Sequence, residues 1–106
     1  MKTTKGSNPS KAIPCEFQIG GKSYTVKIVD GLEKRANALG LTHFDECEIE
    51  IDSGIKNRDM VSITMYHELM HTIFESLGKP DLNSNEELVD SIANLLHQFH
   101  KTSKFD

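Results

Sequence analysis

The sequence predicts a small α+β domain, in which a three-stranded, mainly antiparallel sheet packs on a central helix and a C-terminal helix. Three patterns predict it. Apolar and polar residues alternate over residues 13–28 and again over 47–52, which is typical of half-buried strands. Residues 57–77 are apolar around most of a helical circumference. Residues 84–99 carry one apolar stripe at helical spacing and predict a second long helix.

A chain of 106 residues can form one modest core, so we expect a single domain over residues 13–101. Residues 1–12 are polar and aperiodic and predict a flexible leader, and residues 102–106 predict a frayed tail. The formal net charge is −4 and the sequence contains no basic stripe, which argues against a nucleic-acid or membrane partner. The N-terminus does not resemble a signal peptide, no transmembrane run occurs and only two cysteines are present. We therefore expect a cytoplasmic monomer or weak oligomer with reduced thiols.

The predicted sheet consists of a hairpin and an acidic edge strand. Gly20-Gly21 separates two alternating runs and supplies the hairpin turn. In the third strand, isoleucines alternate with acidic residues, whose face we expect to meet solvent and to discourage pairing with another chain. The apolar face comprises Cys15, Phe17, Ile19, Tyr24, Val26, Ile28, Cys47, Ile49 and Ile51, and the acidic face comprises Glu46, Glu48, Glu50 and Asp52.

Helices are predicted on either side of the third strand. Residues 32–40 favour a short helix before it. The central helix begins near residue 57 and ends at Leu77, because Gly78 followed by Pro80 is a helix stop signal. Its broad apolar surface predicts that it is buried. The last helix begins near Ser84.

The segment His67-Glu68-Leu69-Met70-His71 lies on this central helix and predicts a metal site. One helical turn separates the histidines, so their rings project from the same face. That spacing suits tetrahedral zinc, and the carboxylate of Glu68 flanks the same face, where it can act as a general base toward water.

Catalytic zinc usually takes three protein ligands, so a third ligand is expected elsewhere. If Ser84 caps the last helix, Glu87 occupies the capping-box position and Glu86 is free to bind the metal. If Asn83 caps it, the roles of the two glutamates are exchanged. Asp90 lies one turn after Glu86, where it can accept the N–H of a ligand histidine.

The remaining histidines fit the site less well. His97 lies about 16 Å along the helix from Glu86, at 1.5 Å per residue, and His100 lies further away. Both are expected to be ordinary residues near a helix end. His43 precedes the third strand and could approach the site, although a solvent-exposed position is the simpler expectation.

With these segments the chain resembles the minimal gluzincin metallopeptidases, close to the minigluzincin and phage ImmA/IrrE-type groups. Tyr66-His67-Glu68-Leu69-Met70-His71, then Asn85-Glu86 and Asp90, match the paired HExxH and NExxxD signatures. Upstream, Gly40-Leu41-Thr42 and Glu48-Ile49-Glu50-Ile51 follow the order that such proteins use. The resemblance covers about residues 40–99.

The resemblance implies a zincin-like domain and a zinc-dependent metalloendopeptidase with one Zn²⁺ per chain. His67, His71 and Glu86 would be the zinc ligands, Glu68 would activate the zinc-bound water, and Asp90 would orient His67. A peptide or protein would be the substrate. It would bind antiparallel to an edge strand formed by Glu48, Ile49, Glu50 and Ile51.

Larger relatives add a C-terminal subdomain with a tyrosine or histidine that stabilises the oxyanion, and this chain is expected to lack it. Either His43, Tyr66 or Tyr24 substitutes, or zinc alone polarises the carbonyl and activity is slow or latent. Two alternatives stay open. The site could belong to a non-catalytic zinc-containing binding or regulatory module, or Cys47 could be the third ligand.

Overall fold

The computed structural model describes residues 13–106, in which a four-stranded mixed sheet packs with helices in an α+β fold. The predicted leader, residues 1–12, lies outside the described residues. In chain order the elements are β1 (Glu16–Ile19), β2 (Lys22–Val29), α1 (Leu32–Ala36), β3 (Gly40–His43), β4 (Glu48–Asp52), α2 (Arg58–Leu77), α3 (Pro80–Asn83) and α4 (Glu86–Thr102).

The hairpin formed by β1 and β2 is confirmed. Gly20 and Gly21 join the strands with φ angles of 60° and 79°. A two-residue hairpin turn whose backbone twist matches that of the flanking strands needs positive φ at both central residues. Glycine adopts positive φ without a steric penalty. Phe17 pairs with Tyr24 across the hairpin, and their rings stack with centroids 5.3 Å apart.

The prediction of three strands was wrong, because residues 40–43 form an additional strand. The sheet order is β1-β2-β4-β3, with β4 parallel to β2 and antiparallel to β3. Strand β4, which contains Glu48, Ile49, Glu50 and Ile51, is therefore an interior strand and not the expected edge. Strand β3 has only four residues and no alternating apolar run, so the pattern that reveals strands is missing there.

The acidic face of β4 also differs from the prediction at Asp52. Its side chain is buried, and its Oδ1 accepts a hydrogen bond from the backbone N–H of Leu32 at 3.3 Å. Leu32 is the first residue of α1, whose N-cap residue Gly31 has no side chain to satisfy the free N–H groups. Asp52 supplies the missing acceptor, so its burial is compensated by a contact that the alternating pattern does not encode.

Helix α2 is buried between the sheet and α4, as its apolar circumference predicted. One core cluster joins Ile49 and Ile51 of the sheet to Val61 and Met65 of α2. A second joins α2 to Val89 of α4. The predicted ends are also confirmed, since Asn57 caps the first turn and Gly78 ends the helix at φ 66°. Among residues 13–106, no helix is long and apolar enough to cross a membrane.

The sheet core gives a direct stability prediction. Ile49→Ala should lower the free energy of unfolding by about 2–5 kcal/mol, because the side chain is fully buried and its truncation leaves a cavity. Ile28→Ala in the neighbouring β2 is the matched control. Ile28 is 38% exposed, so its truncation should cost less than about 1 kcal/mol. Urea unfolding of both variants measures the difference, and equal losses would contradict the assignment of the buried face.

Candidate functional site

His67, His71 and Glu86 meet in one cluster. The two imidazole rings lie side by side on α2, with centroids 5.0 Å apart. Nε2 of His67 is 3.0 Å from Oε1 of Glu86, and Nε2 of His71 is 3.4 Å from Oε2 of the same carboxylate. One ligand atom from each residue lies within 4.8 Å of the others, so the three residues could hold a metal ion.

The Nδ1 atom of each imidazole ring, which is turned away from Glu86, faces an oxygen acceptor. Nδ1 of His67 is 3.2 Å from Oδ1 of Asp90, the residue that the sequence singled out for this contact. Nδ1 of His71 is 2.5 Å from Oδ1 of Asn83. An ionised carboxylate and an amide oxygen only accept hydrogen bonds, so each Nδ1 carries the proton. In the neutral imidazole, the lone pair then lies on Nε2, which points at Glu86.

Lone pairs on both Nε2 atoms face the oxygens of Glu86, which also present lone pairs. Such a contact between acceptors is unfavourable unless a cation lies between them or the imidazoles are protonated. Two neutral imidazoles and one carboxylate form a donor set that suits a divalent metal ion. The Glu86 side chain is 65% exposed, so the cluster opens to solvent on the α4 side.

The predicted cap of α4 was wrong, although Glu86 is in the cluster. The N-cap is Asn85, whose Oδ1 accepts from the backbone N–H of Leu88 at 3.0 Å. Ser84 instead ends α3 and donates to the carbonyl of Asp81. Glu86 is therefore the first residue of α4. It reaches the two histidines because the start of α4 packs beside them on α2. Neither glutamate occupies the capping-box position.

Asn83 is a functional candidate that the sequence analysis considered only as a helix cap. It is the last residue of the short helix α3, which ends two residues before the cap of α4. The signal that could have found it is an amide shortly before the glutamate ligand, since metal-bound histidines regularly need an acceptor for the second ring nitrogen.

Glu68 is almost fully buried, with 6% of its surface exposed. Its Oε1 accepts a hydrogen bond from the Thr42 hydroxyl at 2.7 Å. Burial raises the pKa of Glu68 above its ordinary value, and the Thr42 hydrogen bond opposes that rise. A carboxyl group with a raised pKa beside a cluster of ligand groups is suited to accepting a proton.

A cavity of about 250 Å³ borders the cluster. Glu68, His67 and Asp90 supply its polar wall. The remaining lining residues are Ala38, Leu39, Gly40, Met60, Ile63 and Thr64. A larger, mainly apolar cavity of about 350 Å³ lies between β1 and α2 and contains none of the predicted ligand residues. Of these two cavities, the smaller one is the one that contains a residue of the cluster, His67, together with Glu68.

The three side chains considered for oxyanion stabilisation point away from this cavity. Tyr66 contacts Nδ1 of His100 through its hydroxyl at 2.6 Å and lines the larger cavity. Tyr24 is buried and stacks on Phe17. His43 follows Thr42 on β3 and so projects from the opposite face of the sheet, where its Nε2 lies 3.1 Å from Glu50.

His43, Glu48 and Glu50 form a second group with metal-ligand spacing, on the face of the sheet that turns away from α2. Its charges already have partners, since Lys27 lies 2.6 Å from Glu48 and Arg35 lies 3.1 Å from Glu50. Contacts with His43 and Arg35 hold the pKa of Glu50 below its ordinary value. We interpret this group as an ion-pair network that covers the outer face of β4.

His97 and His100 join α4 to α2 outside the cluster. His97 lies 3.1 Å from the Ser62 hydroxyl and 3.3 Å from Asp59, and His100 contacts Tyr66. Cys47 lies in the turn before β4, at φ 53°, with its sulfur 3.7 Å from the carbonyl of Phe44. It belongs to neither group with metal-ligand spacing in the described part of the chain.

No protein-family model matches the chain, and comparisons with curated proteins and with solved structures also find no match.

The contact between Asn83 and His71 predicts an effect on metal affinity. Asn83→Ala should weaken binding of a divalent ion about 10–100-fold, because His71 loses the acceptor that orients its ring. Asn83→Asp keeps an oxygen at this position and should retain most of the affinity. Titration with Co²⁺, followed by absorption, measures both variants, and unchanged affinity in Asn83→Ala would contradict this role.

Proposed function

We propose that the chain is a zinc-dependent metalloendopeptidase with a gluzincin-type site on a zincin-like fold. His67, His71 and Glu86 hold one zinc ion, and Glu68 is the general base. The observation that carries the proposal is the orientation of the two imidazoles. Both Nδ1 atoms face oxygen acceptors and so carry the ring protons. The lone pairs of both Nε2 atoms then point toward the Glu86 carboxylate.

The residues fit zinc by donor type and by number. Zinc prefers imidazole nitrogen and carboxylate oxygen among its ligands, and catalytic sites commonly take three protein ligands and leave one position open. The exposure of Glu86 leaves the cluster accessible to water and substrate. Asp90 and Asn83 add the outer hydrogen bonds that hold ligand histidines in one tautomer.

When bound, zinc supplies Lewis acidity, which polarises a carbonyl and makes a neighbouring water more acidic. Glu68 takes a proton from the water as its oxygen attacks the carbonyl carbon of a peptide bond. It then transfers this proton to the nitrogen of the leaving amine as the C–N bond breaks. One water is consumed, and the products are a new carboxyl terminus and a new amino terminus.

An extended peptide would bind along β3, which replaces β4 in the substrate-binding role. Strand β3 pairs with β4 on one side and ends the described sheet on the other, so its second edge is free for main-chain hydrogen bonds. Gly40 and the preceding Leu39 line the cavity that also contains His67 and Glu68. A peptide on this edge would place its carbonyl groups beside the general base.

A second function, as a zinc-containing regulatory or binding module without turnover, is favoured by one observation. Tyr24, Tyr66 and His43 all have other partners, so none of the three is directed at the cavity. If the chain does cleave peptides, stabilisation of the developing oxyanion falls to the metal, and we expect slow turnover.

Replacement of Glu68 separates the two functions. Glu68→Gln should lower kcat by about 10²–10⁴-fold while zinc content stays at one per chain, because the amide has no basic oxygen but preserves the shape. Peptide-library cleavage and metal analysis on the same preparations test this. Cleavage by Glu68→Gln at the rate of the original chain would show that Glu68 is not the base. Zinc binding without peptide cleavage in the original chain would favour the binding module.

Adjacent glutamates test the ligand assignment. Glu86→Ala should weaken zinc binding by more than the roughly 100-fold typical of outer-sphere changes, since it removes the carboxylate that contacts both histidines. Glu87→Ala removes an equal charge from the same helical turn, yet Glu87 has no contact with the cluster in the described structure. Competition titration with a zinc chelator compares them, and the reverse order would overturn the assignment.

A further inference from the structure

Two residues of β3 contact the carboxylate of Glu68. The Thr42 hydroxyl donates to Oε1 at 2.7 Å. A Cβ at Gly40 would be 2.8 Å from Cγ2 of Thr64, 2.9 Å from Oε2 of Glu68 and 3.0 Å from Cγ of Glu68, so the glycine leaves room for both side chains. One oxygen of the carboxylate is therefore hydrogen-bonded to β3, and the other lies in the space beside Gly40.

These contacts matter because the Glu68 carboxylate adjoins three groups that could ligate a cation. Glu68 directly follows His67 on α2, and both side chains line the same cavity. A glutamate side chain has three rotatable bonds, and an unrestrained carboxylate near a cation would be drawn toward it. It would then become an additional ligand and would no longer be available as a base.

We propose that Thr42 is a positioning residue, whose hydroxyl holds the Glu68 carboxylate on β3 and so keeps it as a general base beside the metal ligands. This inference rests on the proposed peptidase function. Gly40 has the complementary task, since the missing side chain leaves the space in which the carboxylate lies. Among the described residues, the Thr42 hydroxyl is the hydrogen-bond donor that reaches this carboxylate.

Thr42→Val is the direct test, because valine has the shape of threonine but no hydroxyl. We expect kcat to fall about 10–100-fold, the loss typical of a misplaced reacting group, while KM and zinc content stay unchanged. Thr42→Ser keeps the hydroxyl and should restore most of the rate. A loss of rate without a change in KM separates positioning from substrate binding, and rescue by serine separates it from a purely structural role.

A second measurement does not depend on turnover. The metal-free protein is labelled with ¹³C at the glutamate carboxyl groups and studied by NMR. The chemical shift of the Glu68 carboxyl carbon should differ from that of the original chain in Thr42→Val and should be nearly the same as in the original chain in Thr42→Ser. The signal is assigned by its loss in Glu68→Gln. If Thr42→Val folds poorly, as judged by circular dichroism, Thr42→Ala replaces it in both measurements.

The outcomes distinguish this inference from the proposed function. If the original chain cleaves peptides and Thr42→Val does so equally well, or if serine is as impaired as valine, the positioning role is wrong and the peptidase function stands. If the original chain cleaves nothing, the general-base role fails together with the peptidase function, and the NMR measurement tests only whether the Thr42 hydroxyl positions the Glu68 carboxylate. An unchanged Glu68 signal in Thr42→Val then overturns this positioning as well, and a shifted signal supports it.

Discussion

The antiparallel packing of α4 on α2 is the constraint on which the metal-ligand cluster depends. Glu86, at the start of α4, meets His71 in the second half of α2, whereas Lys101 near the end of α4 pairs with Asp59 in the first turn of α2. Between them, the apolar residues Val89 and Ala93 are fully buried. Because helices pack by interlocking side chains, a shift of α4 by one turn would move Glu86 about 5 Å from the histidines. Apolar packing thus sets the geometry of a polar site.

The same arrangement places two carboxylates in opposite environments. Glu68 lies between α2 and β3, where burial raises its pKa, while the Glu86 side chain remains largely exposed. Burial favours the protonated form of a carboxyl group, whereas an exposed carboxyl group remains accessible to a cation from solvent. In the proposed function the base and the ligand are both glutamates, so any difference in their chemistry would come from their positions. Thr42 limits the cost of burying Glu68 by donating a hydrogen bond to it.

Much of the fold could be predicted from sequence, because its main elements carry strong patterns. Gly20-Gly21, Asn57 and Gly78 have the roles that their residue types favour, and α2 is buried as its apolar circumference indicates. The strand order could not be predicted. Four residues without alternation do not reveal β3, and the parallel pairing of β2 with β4 depends on packing between distant segments.

The site was predictable to the same extent. His67, His71 and Asp90 follow from helical spacing, which is local. Glu86 was expected partly from a capping argument that the structure contradicts, since Asn85 caps α4, and partly from the resemblance of Asn85-Glu86 and Asp90 to a known signature. Asn83 and Thr42 were missed, because their contacts with His71 and Glu68 join residues that are 12 and 26 positions apart and lie on different elements. Such contacts follow from tertiary packing and leave no periodic trace.

Under the proposed function, the observed strand order would also connect substrate binding to the base. With β3 at the edge, the strand that would pair with a peptide also carries Thr42 and Gly40, which hold the Glu68 carboxylate. A strand paired on both sides is more rigid than one paired on a single side, since its backbone hydrogen bonds restrict it from two directions. Binding of a peptide along β3 would therefore steady the residues that position Glu68, and a poorly pairing peptide would lose rate as well as affinity.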